Sequence, residues 1–164
     1  MAPQRRPAWS PFFNAECAVA AHSRPTLSFM RTHVEFVSTQ FPAYPGEDEE
    51  VNPDRFGKRL AEFFAAELPK HGFVVASIGA EDWGWMVELE NPAFTLWVGC
   101  GNYDEKPHAF LCFIEPSKPF VRKWFSKIDT TQKVESLAMA MNAILLASDK
   151  VSELKWWTED EVQT

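Results

Sequence analysis

Positive charge is in short supply in this chain of 164 residues: 16 Lys and Arg stand against 23 Asp and Glu, for a net charge of −7. Phosphate backbones need a cationic surface, so nucleic acid is not an expected partner. Cysteine is scarce too. Cys17, Cys100 and Cys112 are odd in number and widely spaced, which excludes a disulfide framework and any C-x-x-C metal or redox motif. His22, His33, His71 and His108 fall singly, without H-x-x-x-H spacing, so no metal site is expected. No apolar run is long enough for a transmembrane helix, and no membrane partner is expected. Arg5 and Arg6 are followed by no continuous apolar stretch, because ECAVAAH is short and broken by Glu16. A secretory signal is therefore not expected, and a reducing cytoplasm is the expected compartment. A G-x-G-x-x-G turn, a P-loop and a G-x-S-x-G elbow are all missing, so no cofactor is expected.

What the chain does have is aromatic residues. Seven Trp and fourteen Phe, with only two Tyr, bring the aromatic fraction to 14% within an apolar content of 46%. A chain of this length buries a sufficient core as one domain without metals or disulfides. Large Trp and Phe side chains are efficient core fillers, and core packing is their first expected role.

Organisation follows from punctuation. Residues 1–29 hold Pro3, Pro7, Pro11 and Pro25 with little periodicity, and are expected to be a poorly ordered tail. Met30 directly precedes the first strand signal, RTHVEFVSTQF, which makes it a candidate natural start. Charge divides at the same place: residues 1–30 sum to +2, leaving −9 for the remainder. FPAYPGEDEEVNP reads as a loop whose acidic run, Glu47 to Glu50, is expected to be solvated. Asn52-Pro53 offers a cap and a first helical residue, and Phe56, Leu60, Phe63, Phe64 and Leu68 recur at helical spacing; a helix is expected over 53–70.

The middle of the chain is a run of strand signals at 73–78, 83–90, 94–102 and 108–115, separated by GAED, Asn91-Pro92 and YDEKP. Alternation groups Trp83, Trp85, Val87 and Leu89 on one face. FVRKWFSKI, residues 120–128, reads either as a short helix or as an extended segment. Asp129, Thr130 and Thr131 are caps for a second helix with Val134, Leu137, Ala138, Met141, Ile144 and Leu145 on its apolar face, ending near Ser148. A last strand is expected over 154–158, then a frayed acidic tail, 159–164. The order β-α-β-β-β-β-α-β predicts one α+β domain, residues 30–158: a mostly antiparallel sheet with both long helices on one face.

Candidate chemistry is thin. With strands 94–102 and 108–115 paired through loop 103–107, Cys100 is expected opposite Phe110, with His108 diagonal to it. A thiol beside an imidazole can be a nucleophile, but Val98, Phe110 and Cys112 share that face, as in a core. The glycines beside Cys100 are explained equally well by bulky aromatics on a neighbouring strand. Glu81, Asp82, Glu88, Glu90 and Glu115 lie in or near the sheet; a pair across a cleft would suit glycoside hydrolysis, while a solvated face needs no such role. One basic cluster stands out in the acidic domain. Arg122, Lys123 and Lys127 interleave with Trp124 and Phe125. Trp and Arg are frequent at binding hot spots, which makes this the expected contact segment; the competing reading puts both rings in the core with the cations snorkelling outward.

The leading expectation is a small, non-enzymatic cytoplasmic protein of bacterial type that binds another protein. Its concrete form is an immunity-type inhibitor whose acidic surface meets a basic toxin. The alternatives are an enzyme using Cys100 with His108 or the sheet carboxylates, or a small-molecule binder walled by Trp83, Trp85 and Trp97 on the open face of the sheet.

Overall fold

The computed structural model describes residues 30–103 and 108–162. The tail expected over 1–29, the loop tip 104–107 and the last two residues lie outside the described residues. β1 (Arg31–Ser38) alternates strictly: Thr32, Val34, Phe36 and Ser38 are buried, while His33, Glu35 and Val37 turn to the other face. α1 (Lys58–Glu67) follows and tightens into a 3₁₀ turn over Leu68–His71. β2 (Val75–Glu81), β3 (Gly84–Leu89), β4 (Leu96–Asn102) and β5 (Ala109–Glu115) form the meander. β6 (Phe120–Lys123) and β7 (Ser126–Asp129) make a separate two-stranded ribbon. α2 (Thr131–Leu146), β8 (Val151–Thr158) and the single turn α3 (Glu159–Val162) complete the chain.

The main sheet has six strands in the order β2-β3-β4-β5-β1-β8, and every neighbouring pair is antiparallel. Both long helices pack on the face that carries Val34, Phe36, Val87, Val98, Cys100, Phe110 and Ile114, giving the α+β architecture read from the sequence. Leu60 and Phe64 of α1, with Leu137, Met141 and Leu145 of α2, are buried against that face. Each such side chain contributes about 1.5–3 kcal/mol by leaving water. β1 therefore sits inside the sheet although it comes first in the chain. Among the described residues no helix is long and apolar enough to cross a membrane.

Several boundaries differ from expectation, each for a local reason. α1 starts at Lys58, not at Pro53, because Asp54 lies at φ 64°, outside the helical region. Its cap comes from far away. Glu47 Oε1 accepts the N–H groups of Gly57 and Lys58, both at 2.7 Å, and Oε2 accepts that of Tyr44 at 2.8 Å. Glu47 is 1% exposed, so one member of the expected solvated run is a buried helix cap, placed where free N–H groups and the helix dipole favour an anion. Asp48, Glu49 and Glu50 are exposed, with Glu50 paired to Lys58 at 2.9 Å.

At the other crossover, Asp129 Oδ1 accepts the Thr131 N–H at 2.8 Å and opens α2 as the cap residues predict. β8 begins at Val151, three residues before the expected start. The expected frayed tail instead opens with a turn in which the Thr158 N–H donates to Glu161 Oε2 and the Glu161 N–H to Thr158 Oγ1, a capping box. The segment 120–128, read as a short helix or an extended stretch, is part of the β6–β7 hairpin.

Candidate functional site

Three places in the fold answer to the residues singled out in the sequence: the Cys100 position, the open face of the sheet, and the ribbon β6–β7.

Cys100 is directly opposite Cys112, not Phe110, and Phe110 pairs with Asn102. The expected register is displaced by two because the Tyr103 N–H donates to the Ala109 carbonyl at 2.8 Å, which carries the ladder one pair further. Both thiols are fully buried on the helix-covered face. Burial raises the Cys112 pKa well above the ordinary thiol value, and a hydrogen bond with the neighbouring free Cys100 thiol raises it further. His108 lies before β5 at φ 69°, exposed, with its carbonyl accepting the Ser38 N–H. The register does not bring the thiol and the imidazole together.

The open face presents one long cross-strand row: Gly79, Met86, Gly99, Phe113, His33 and Trp157. Phe113 lies over Gly99, where an added Cβ would come within 2.4 Å of the ring. The glycine thus makes room for a neighbouring-strand aromatic. Trp83 and Trp97 close on the same ring, with centroids 4.9 and 5.5 Å from Phe113 and 5.7 Å from each other. His33 stacks on the other side at 5.7 Å, and its Nδ1 lies 3.1 Å from Thr32 Oγ1. Burial lowers the His33 pKa, opposed by the charges of Glu159 and Glu115.

Trp85 does not belong to this cluster. It is 5% exposed on the core face opposite Cys100, with Lys58 Nζ 4.5 Å from its ring. The expected grouping of Trp83 with Trp85 fails at Gly84, whose φ of 148° breaks the alternation and whose missing Cβ admits the Cys100 carbonyl. A groove of about 350 Å³ borders the cluster, lined by Asn52, Arg55, Asp82, Trp83, Tyr103 and Phe113, among others. Its lining includes one carboxylate and neither thiol nor imidazole. Glu88 and Glu115 flank Trp97 in register, but the indole lies between them; Glu88 accepts from Ser77 Oγ, and Glu115 from the Ser117 N–H. No cluster of His, Cys, Asp or Glu suited to a metal occurs among the described residues.

The ribbon β6–β7 is different in kind. It packs strongly against no other element, and its base is held by Thr130, whose N–H donates to the Pro119 carbonyl and whose Oγ1 donates to the Lys118 carbonyl. Register pairs Phe120 with Asp129, Val121 with Ile128, Arg122 with Lys127 and Lys123 with Ser126. Trp124 and Phe125 are the two turn residues, 90% and 104% exposed. Neither ring fills the core, contrary to the competing reading of this segment. Trp124 takes φ 58°, while Phe125 keeps a negative φ. A two-residue hairpin turn with positive φ at its first central position normally has Gly there. Lys127 Nζ lies 3.7 Å from the Phe120 ring centroid. Arg122, Lys123 and Lys127 are exposed and make no salt bridge among the described residues.

Comparison with known protein families, with curated proteins and with solved structures finds no match for this chain. Arg122, Lys123, Trp124 and Lys127 are gathered on one projecting arm. Trp83 and Trp97 are gathered on the open face, and Trp85 is separated from them. Phe113 is not among the residues singled out in the sequence, and Glu47, expected to be solvated, is buried. The signal for Phe113 was Gly99 on the adjacent strand; nothing local signals the long-range cap.

Proposed function

We propose that this protein is a non-enzymatic binding protein whose β6–β7 arm docks into another protein. One observation carries the reading: adjacent Trp and Phe side chains stand almost fully exposed at the tip of an arm. Exposing two large aromatic rings forgoes several kcal/mol of burial that a folded chain ordinarily takes. Trp and Arg are enriched among the anchors of protein interfaces, and a segment whose two strands are already paired has less order to gain on docking than an unstructured loop. Capture of the native protein and of a Trp124→Ala/Phe125→Ala variant from host extract tests it. A stoichiometric protein retained by the first and lost by the second is expected; equal retention by both refutes the arm as the contact.

A second reading rests on charge. Residues 118–129 sum to +3, so the rest of the chain carries −10. That acidity supports an immunity-type role in the cytoplasm, in which the body, not the arm, covers a basic toxin. Its partner would survive loss of Trp124 and Phe125 and be released by salt.

A further inference from the structure

We propose that the surface read by the arm is acidic: a protein segment whose carboxylates surround an apolar slot, with Arg122 and Lys127 receiving a carboxylate while Trp124 and Phe125 enter the slot. This rests on the arm being a protein contact. The geometry that points to it is the pairing of Arg122 with Lys127 directly across the ribbon. Like charges at that position repel, and a ribbon built only to be stable would carry opposite ones. Neither cation has a salt bridge among the described residues, and Asp129 is paired two residues away at the base, opposite Phe120. The register puts the guanidinium and the ammonium on one face, with the Lys127 Nζ lying over the neighbouring Phe120 ring, so two cations of that face are within reach of one incoming oxyanion. The guanidinium supplies the planar fork that a carboxylate fits.

Charge distribution narrows the source of that anion. The arm carries +3 while the remainder carries −10. An extended anionic surface, whether a bilayer or a nucleic acid, would meet the acidic body as well as the arm and be repelled by it. A compact acidic patch on a protein can engage the arm alone. The same charge asymmetry would turn the arm forward as the partner approaches.

Two measurements test it together. A photo-crosslinking residue placed at Phe125 in the full chain, in host cells, identifies what the tip touches. In vitro, a soluble peptide alternating Glu with Leu and Phe is titrated against the protein beside its Gln-for-Glu and Lys-for-Glu counterparts and anionic vesicles of phosphatidylglycerol. The expected result is crosslinking to an acid-rich protein stretch. With it comes preference for the Glu peptide, weakened about tenfold or more by Arg122→Glu/Lys127→Glu and restored in part when that variant meets the Lys peptide. Circular dichroism of the variant confirms that the sheet is retained. Crosslinks to an acid-poor protein surface, or equal binding of all three peptides, overturn the acidic-partner inference and leave the protein-binding reading standing. Crosslinks confined to lipid or nucleic acid, or none at all, overturn both.

Discussion

Replacing Trp124 by Gly separates what the arm does for folding from what it does for binding. Trp124 holds φ 58° in the turn, a conformation that disfavours a bulky L-residue by about 1–2 kcal/mol. Its ring is 90% exposed, so removing it surrenders almost no burial. Glycine relieves the strain but adds freedom to the unfolded chain, a penalty of about 0.5–1 kcal/mol. The balance is a change between about zero and +1.5 kcal/mol in favour of the variant. In a domain of this size that raises the melting temperature by at most about 6 °C. Urea denaturation followed by tryptophan fluorescence and by far-UV circular dichroism gives the free energy directly. Binding to the captured partner is expected to fall at the same time. A loss of more than about 1 kcal/mol in stability would refute the reasoning. It would mean that Trp124 contributes folded-state contacts, and that the tip is not a surface held open for something else.

Glu47→Ala removes the acceptor shared by two backbone N–H groups at the start of α1, Gly57 and Lys58, and by that of Tyr44 in the preceding loop, and is expected to destabilise the fold by about 3 kcal/mol, with Glu47→Gln losing less; a cost below about 1 kcal/mol in the same denaturation assay contradicts the capping role. The thiols of Cys100 and Cys112 are expected to resist an aromatic disulfide reagent at neutral pH in the folded protein and to react on unfolding; rapid native labelling of either would reopen the nucleophile reading. His33 has a folded pKa below its unfolded value, so its contribution is unchanged while both states are neutral. Stability falls as pH drops through about 6.5 towards the lowered value, where the unfolded state takes up the proton first; His33→Gln is expected to flatten that part of the profile, and an unchanged profile counts against it.

The meander was legible because its code is short-range. Val87 and Leu89, Leu96 and Val98, and Phe110, Cys112 and Ile114 alternate with outward residues over whole strands, and turn residues separate them. The helices were legible from stripes such as Leu60, Phe64 and Leu68. What escaped was set at a distance. The pairing of β1 with β5 joins Phe36 to Phe110 across most of the domain, and no local pattern encodes it. The start of α1 is decided by Glu47, ten residues from the Gly57 that it caps. Single backbone angles mattered as much. Asp54 at positive φ moved a helix boundary, and Gly84 sent Trp83 and Trp85 to opposite faces although their spacing says otherwise.

The arm's residues stood out as a basic and aromatic cluster, but its hairpin form was hidden for the opposite reason: these residues break the local rules. A two-residue hairpin is found in sequence by Asn-Gly or Gly-X, and here the turn is Trp-Phe. Large aromatics are read as core, and here they are the most exposed large hydrophobics described. Cross-strand pairs are read as complementary, and here Arg faces Lys. Isolated departures occur elsewhere, such as Asp54, His108 and Glu153 at positive φ, but β1 alternates strictly and the Asp129 carboxylate accepts the Thr131 N–H at the start of α2. Sequences under selection for folding remove such conflicts, since each lowers the gap between the native state and its competitors. Three conflicts within six residues, Arg122 to Lys127, on an arm that packs strongly against no other element, are most economically retained for a use outside the fold. Exposed rings need an apolar slot, and opposed cations need an anion. Both are supplied by one acidic-rimmed pocket on a partner, which is why the two variants, one removing the rings and one reversing the charges, must fail on the same ligand.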